Sequence, residues 1–150
     1  MIVPLDLWAA EYVARRLRDA DRREVFATRW AASEKALAQD MAASPLGWVA
    51  VADYGPVAAV GAIPRWPGVW SVWMLATDDF PKCRFSLTRH VRSVIIPALR
   101  ETGAHRAECA SLASHIEAHA WLRYLGAEKE ATLRGYGRNG EDFLLFVWRA

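Results

Sequence analysis

Cysteine is scarce in this chain of 150 residues, which contains only Cys83 and Cys109. The two residues are far apart and form no CxxC pair, which argues against a zinc site or a redox pair and fits a reducing compartment. Long apolar runs are also missing, because no stretch approaches the ~18–20 residues that a membrane span needs. The N-terminus has neither the basic start nor the apolar stretch of a signal peptide. We therefore expect a protein of a reducing compartment with no membrane span.

A strong charge of either sign is absent as well, since the formal net charge is only +2. Basic residues alternate with acidic ones, as in the segment from Arg15 to Glu24. Such mixing is typical of a solvated helix face and argues against specific nucleic-acid binding. The hydrophobic fraction of 53% and the length predict one compact domain over residues 1–150. Eight tryptophans indicate an aromatic core, a contact surface, or both.

The first third of the chain predicts one strand followed by three helices. Ile2 to Leu5 is apolar, and the helices that follow have Asp6, Asp21 and Ser33 at their expected N-cap positions. A hairpin then follows around the turn signal Asp53-Tyr54-Gly55-Pro56. Val69 to Ala76 is apolar on both faces, so it is predicted to be a central strand.

The second half predicts a helix, a strand, a helix and a final pair of strands. The first helix starts at Ser86, ends before Gly103 and is expected to kink at Pro97. The other expected elements are a strand over Arg106 to Ala110, a helix over Ser114 to Leu125, and strands over Lys129 to Arg134 and Phe143 to Trp148. Asn139-Gly140 in the last connection is typical of a tight hairpin turn. Six side chains are predicted to be buried together: Trp73, Leu75, Val91, Ile95, Leu122 and Leu125.

This order of elements resembles the GNAT fold of acetyl-CoA N-acetyltransferases. The segment Ala120-Trp121-Leu122-Arg123-Tyr124-Leu125-Gly126-Ala127, followed by a strand and by Gly140-Glu141-Asp142-Phe143, is similar to the helix end and two returning strands of that family. The resemblance implies a mixed α/β (α+β) fold with a twisted, mostly antiparallel sheet and helices on both faces. It also implies a central parallel pair, Val69 to Ala76 with Arg106 to Ala110, whose strands splay apart to open a coenzyme cleft.

A narrower resemblance is to phage-encoded GNAT-like proteins, including those grouped with the internal virion (core) protein of short-tailed phages. It rests on Trp73-Met74-Leu75-Ala76-Thr77-Asp78, the helix around Leu87 to Leu99, and the Trp-Leu-Arg-Tyr-Leu-Gly helix end. This resemblance implies a protein of the virion or the host cytoplasm. Other virion or portal proteins, or further copies of the chain, would be its partners.

The loop that would bind the coenzyme A pyrophosphate departs from the family pattern. GNAT enzymes use an Arg/Gln-x-x-Gly-x-Gly/Ala loop, in which glycines let backbone N–H groups approach the phosphates. Here the corresponding segment runs from Asp78 to Leu87 and contains no glycine. Lys82, Arg84, Phe85 and Ser86 are the residues of this degenerate loop that could still contact the cofactor.

The acid and base of acetyl transfer are not evident either. The resemblance places Leu122 where many GNAT enzymes have the Tyr that protonates the thiolate, and Tyr124 lies two residues further on, on the opposite helix face. Glu108, Asp78, His115 and His119 are the other candidates for acid–base roles. His115 and His119 have i, i+4 spacing but lack a third ligand, so we expect no metal site.

Two hypotheses remain open at this point. The first is a non-catalytic structural component of a phage particle, with a degenerate acetyl-CoA site and no cofactor. The alternative is a divergent acetyl-CoA-dependent N-acetyltransferase acting on an unknown amine. The first predicts that acetyl-CoA binds no more tightly than the millimolar range, about −4 kcal/mol.

Overall fold

The computed structural model describes residues 1–150 and contains seven strands, all in one sheet. The strands are β1 (Ile2–Pro4), β2 (Leu46–Ala52), β3 (Gly55–Trp66), β4 (Val69–Ala76), β5 (Arg106–Leu112), β6 (Glu128–Leu133) and β7 (Phe143–Arg149). The helices are α1 (Leu7–Ala14), α2 (Asp19–Ala27), α3 (Glu34–Ala42), α4 (Arg84–His90), α5 (Ile96–Glu101) and α6 (Ile116–Tyr124). No helix combines the length and apolar character that crossing a membrane requires.

The sheet has the strand order β1-β2-β3-β4-β5-β7-β6, and every neighbouring pair is antiparallel except β4 and β5. One face of β2 to β4 packs against α4 and α5, and the opposite face packs against α1 and α3. A central strand that is covered on both faces has to be apolar, and β4 is mostly apolar. The predicted mixed α/β fold with a mostly antiparallel sheet and a central parallel pair is therefore confirmed.

Two of the three predicted N-caps are present. The Asp6 carboxylate accepts a hydrogen bond from Ala9 N at 2.8 Å, and Ser33 Oγ accepts one from Ala36 N at 3.1 Å. The cap predicted at Asp21 is wrong, because α2 already begins at Asp19 with Arg18 before it. Asp21 is instead buried within the helix, and its carboxylate makes tertiary contacts.

The helix predicted from Ser86 starts slightly earlier and is interrupted. After α4 the chain forms a π-helical turn over Val91–Ile95, in which Ile96 N donates to Val91 O. Pro97 has no N–H and cannot continue the regular i to i−4 pattern. The interruption expected at Pro97 therefore takes the form of a π-helical turn, which is one of the usual causes of a helix kink.

The six residues predicted to form one core are divided among three clusters. Val91, Ile95 and Leu125 pack on the α4–α5 face, whereas Leu75 and the half-buried Trp73 lie on the α1–α3 face. Leu122 of α6 packs against Phe146 of β7. The single-cluster prediction is wrong because side chains alternate along a strand, so residues 73 and 75 share one face of β4 and point away from α4.

The tight turn predicted at Asn139-Gly140 is also wrong. A two-residue turn of that type needs positive φ at both positions, but only Gly140 has it, with φ of 86°. The connection is a longer loop from residue 134 to 142. Two acidic side chains of the loop stabilise its backbone, because Gly135 N donates to Asp142 Oδ1 and Asn139 N donates to Glu141 Oε1.

Gly61 of β3 is paired with Trp73 of β4 in the antiparallel sheet. A Cβ atom at this position would lie 2.5 Å from Trp73 Cζ2 and 2.7 Å from the backbone oxygen of Leu46. The backbone cannot yield easily, so Gly61→Ala is expected to lower the free energy of unfolding by about 1–3 kcal/mol in urea denaturation. Gly47→Ala is the matched control, because its Cβ would meet Leu5 at an ordinary 3.5 Å. Equal stability of the two variants would contradict the packing seen at Gly61.

Candidate active site

The two parallel strands at the centre of the sheet separate after a short paired stretch. Only Val69 to Ser71 pair with Arg106 to Glu108, although both strands continue well beyond these residues. Beyond this point the edges of the two strands face a gap, as expected for the splayed pair. Backbone groups along this gap have no strand partner and must find other ones.

A cavity of about 1060 Å³ opens on the side of the gap where α4 and α6 lie. Met74 of β4, Phe80 and Trp121 of α6 are among the apolar residues that line it. The Trp121 indole donates a hydrogen bond to Thr88 Oγ1 at 2.8 Å, which ties α6 to α4 across the cavity. The space is large enough for an extended ligand of drug size or more.

Three arginines make one wall of this cavity cationic: Arg84, Arg89 and Arg92. All three are exposed, and none forms a salt bridge within the chain. Arg92 lies over the ring of Tyr124 at 4.3 Å and donates to its backbone oxygen at 2.6 Å. Unpaired guanidinium groups are suited to bind phosphate oxygens, often through two parallel hydrogen bonds.

The four predicted cofactor contacts divide into two groups. Arg84 and Phe85 line the cavity. Lys82 does not line it, and its ammonium group is paired with Asp79 at 3.2 Å. Ser86 does not line it either, and its hydroxyl donates to the backbone oxygen of Cys83 at 2.9 Å.

The candidate catalytic residues are also separated by the structure. Asp78 and Tyr124 border the cavity as exposed side chains. Glu108 lies outside this cavity, where Arg106 at 2.9 Å and Arg65 at 3.6 Å hold its carboxylate. These contacts give Glu108 a structural ion-pair role.

The two histidines of the last helix region have different surroundings. His119 Nε2 is directed to the backbone oxygen of Leu112 at 3.0 Å, and burial lowers the pKa of this imidazole. His115 lines the cavity, and its Nδ1 lies 3.2 Å from Glu24 Oε2. We assign Nδ1–H as the donor to Glu24, which leaves Nε2 as the unprotonated nitrogen of the neutral ring.

Glu24 and Asp21 of α2 bring a buried charged network to the gap. Glu24 Oε1 accepts a hydrogen bond from Leu112 N of β5 at 2.6 Å, and Asp21 Oδ2 accepts one from Ala76 N of β4 at 2.8 Å. Arg18 donates three hydrogen bonds to Asp21 between 2.8 and 3.2 Å. Asp21 is only 1% exposed, and Arg18 lines the cavity.

The electrostatics of this network favour a proton-binding role for His115. The hydrogen bond to Glu24 raises the pKa of His115, and the Asp21 carboxylate acts in the same direction against the effect of burial. Burial raises the pKa of Asp21, while the Arg18 guanidinium opposes that shift. An imidazole held by a carboxylate at the edge of a cavity is the usual arrangement of a general base.

Asp21, Glu24 and His115 also have the composition of a metal site, since one ligand atom from each lies within 4.8 Å of the others. Their oxygens, however, already accept hydrogen bonds from Arg18 and from two backbone N–H groups. A guanidinium at 2.8 Å would also repel a divalent cation. The donor set therefore fits a proton better than a metal ion.

Sequence reasoning missed Arg18, Asp21 and Glu24 as site residues. Arg89 and Arg92 were missed too, although their helical spacing from Arg84 and Phe85 gave a usable signal. Glu24 and His115 are 91 residues apart, and no local pattern connects them.

Comparison with known proteins agrees with this architecture. No family model and no curated protein matches the sequence. Among solved structures, the ribosomal-protein-alanine N-acetyltransferase from Brucella melitensis has a TM-score of 0.77 at 15% identity, covering 100% of this chain and 99% of that one. The ribosomal-protein-S18-alanine N-acetyltransferase from Escherichia coli has a TM-score of 0.71 at 20% identity, with 99% and 92% covered.

An acetyltransferase of the GNAT family from Bacillus anthracis is similar as well, with a TM-score of 0.73 at 8% identity and coverage of 99% and 93%. The chain therefore has the fold of GNAT acetyltransferases. At these identities the likeness defines the fold alone, and the activity has to be argued from the site.

Proposed function

We propose that the chain is an acetyl-CoA-dependent N-acetyltransferase, which is the alternative hypothesis of the sequence analysis. The observation that supports it most is the placement of the His115–Glu24 pair at a gap between two splayed parallel strands, beside a cavity with a cationic wall. Transfer of an acyl group to an amine needs a base for the amine proton and a site for a charged acyl donor. The grouping of candidate residues for both roles at one place in the fold supports the proposal.

The donor site fits coenzyme A by charge and by size. Acetyl-CoA supplies the acetyl group as a thioester and carries several phosphate charges at the opposite end. Arg84, Arg89 and Arg92 would bind those phosphates with their side chains, where other GNAT proteins use a glycine-rich backbone loop. The apolar lining residues Met74 and Phe80 would contact the pantetheine arm.

His115 would take the proton of the attacking amine at Nε2. Glu24 fixes the tautomer and ring orientation through Nδ1 and stabilises the imidazolium that forms. Asp21 lies 3.8 Å from Nε2, beyond hydrogen-bond distance, and adds a favourable field for the same charged form. The neutral ring is the active base, so the raised pKa makes deprotonation of His115 a condition for activity.

The structural role in a phage particle stays a prediction. The observation that favours it is the exposure of three tryptophans, with Trp8 64%, Trp30 100% and Trp66 58% accessible. Exposed aromatic side chains are common at contact surfaces. They are also compatible with an enzyme that binds a protein substrate.

Titration calorimetry with acetyl-CoA tests the proposed function directly. We expect a dissociation constant of about 1–100 μM, and roughly tenfold weaker binding for Arg84→Gln or Arg89→Gln, because a charge-assisted hydrogen bond to phosphate contributes about 1.5 kcal/mol or more. Arg23→Gln is the matched control, since Arg23 is exposed on α2 and does not line the cavity. Absence of binding by the wild type up to millimolar acetyl-CoA would refute the enzyme proposal.

The acceptor can then be sought by measuring thiol release with a panel of amines. Peptides with an N-terminal alanine come first, because two similar structures are alanine N-acetyltransferases of ribosomal proteins. Polyamines and small amino sugars provide amines of different shape and charge.

A further inference from the structure

Ser111 is a buried hydroxyl group with no hydrogen-bond partner in the protein. The residue is 3% exposed, and its Oγ has no hydrogen-bond partner within the chain. Leaving such a group unpaired is unfavourable, and most buried hydroxyls in proteins are paired. An unpaired polar group at this depth therefore needs an explanation.

The position of Ser111 in β5 directs its side chain to the cofactor side of the sheet. Alternate residues of this strand face opposite sides, and Ala107 and Cys109 pack on the side of α4 and α6. Ser111 has the same parity as these two residues. Ala110 and Leu112 face the other way, toward α2.

Ser111 also lies beyond the last residue of β5 that pairs with β4, which is Glu108. It therefore borders the open gap. Together with Met74, Ala118 and Trp121 it lines a second cavity of about 690 Å³. Met74, Ala118 and Trp121 line the larger cavity too, so the two spaces are adjacent.

Other hydroxyl groups on this side are already in use or are too exposed. Thr88 Oγ1 donates to the backbone oxygen of Arg84 at 2.7 Å and accepts from the Trp121 indole. Tyr124 is 62% exposed at the cavity mouth. Leu122 has no polar atom to offer. Ser111 is thus the hydroxyl at the gap whose hydrogen is available.

We propose that Ser111 is a catalytic residue of the acetyl transfer, donating its Oγ–H hydrogen bond to the thioester sulfur as negative charge develops there. This inference rests on the proposed function. The amine nitrogen forms a bond to the acetyl carbon, the carbon–sulfur bond breaks, and the electron pair of that bond goes to sulfur. The amine proton goes to His115 Nε2 and from there to solvent water, and the coenzyme A thiolate takes a proton from solvent on release, so His115 returns to its neutral form. The Ser111 proton stays on its own oxygen throughout, because a serine hydroxyl is a far weaker acid than a thiol.

Ser111→Ala gives effects of opposite sign on stability and on catalysis if this assignment is correct. The urea denaturation midpoint should stay the same or rise, because the change removes an unpaired buried hydroxyl. The turnover number kcat should fall by roughly tenfold to a hundredfold, with the KM for acetyl-CoA unchanged within about twofold. Ser111→Thr, which keeps a hydroxyl, should restore much of the activity. Ser114→Ala is the control, because Ser114 is three residues away, is exposed and lines neither cavity.

Comparing the binding of coenzyme A and desulfo-coenzyme A tests whether Ser111 contacts the sulfur atom. The wild type should bind coenzyme A more tightly than desulfo-coenzyme A, increasingly so as pH rises and the bound thiol ionises. Ser111→Ala should lose this preference while its affinity for desulfo-coenzyme A stays the same. A retained preference, or an unchanged kcat, would show that Ser111 does not contact the leaving sulfur.

A lowered denaturation midpoint for Ser111→Ala would overturn the inference in another way, by showing that the hydroxyl is satisfied in the free protein, for example by water. Failure of the proposed function has a separate signature, in which the wild type neither binds acetyl-CoA nor acetylates any amine. In that case the Ser111 inference fails together with the proposed function.

Discussion

Replacing Asp21 with asparagine is expected to lower the free energy of unfolding by about 3–5 kcal/mol, the usual effect of removing one partner from a buried ion pair. The change leaves the Arg18 guanidinium, whose side chain is 18% exposed, without its counter-charge. It also weakens the acceptor that Asp21 Oδ2 provides to Ala76 N. Urea denaturation of the two proteins at neutral pH measures the difference.

Asp19→Asn is the matched control for this experiment. Asp19 lies two residues earlier at the start of α2, is exposed and forms no salt bridge. Its replacement should change stability by about 0.5 kcal/mol or less. A loss of the same size in both variants would mean that Asp21 acts through general helix-end charge and not through the pair with Arg18.

Replacing His115 with glutamine is expected to reduce kcat by about 10²–10⁴-fold, the contribution of a positioned general base. Only neutral imidazole accepts a proton, and Glu24 holds the pKa of His115 above its usual value of 6.5. The wild-type rate should therefore increase with pH as His115 loses its proton, and should level off above its pKa. The variant should lack this ascending limb.

His105→Gln provides the control, because His105 is exposed, does not line the first cavity, and borders the second one next to Arg106, where β5 is still paired with β4. Its rate and pH profile should match those of the wild type. If His115→Gln kept both the rate and the ascending limb, another group would be the base, and the exposed Asp78 at the cavity would be tested next.

The fold was largely predictable because its strongest signals are local. The apolar character of Val69 to Ala76 on both faces identified the central strand, and Asp6 and Ser33 marked two helix starts through bonds that span three residues. The core was misplaced because the parity of Trp73 and Leu75 puts them on one face of β4, and only the structure shows that α1 and α3 cover that face. At Asn139-Gly140 the dipeptide rule failed because acidic side chains of the same loop stabilise a longer connection.

The candidate site was less predictable because its contacts are distant in sequence. Asp21 has the short polar side chain of an N-cap, but its carboxylate is used by Ala76, 55 residues away. In the sequence, Glu24 looks like any solvated acidic residue of a mixed-charge helix. Only the structure shows that it contacts Leu112 N of β5 and His115. The absence of glycine from the loop is evident in the sequence, yet loop composition alone says nothing about the arginines one and two turns further along the helix.

The spacing of Asp21 and Glu24 on α2 has a mechanical consequence. The two residues are three positions apart, on one face of a single helical turn, and each holds a backbone N–H of a different strand. The open end of the sheet is therefore spanned by side chains from a third element, where no direct hydrogen bond joins β4 to β5. Since one rigid helical turn carries both attachments, it fixes the distance between the ends of β4 and β5. A tilt of α2 would therefore move both strand ends together.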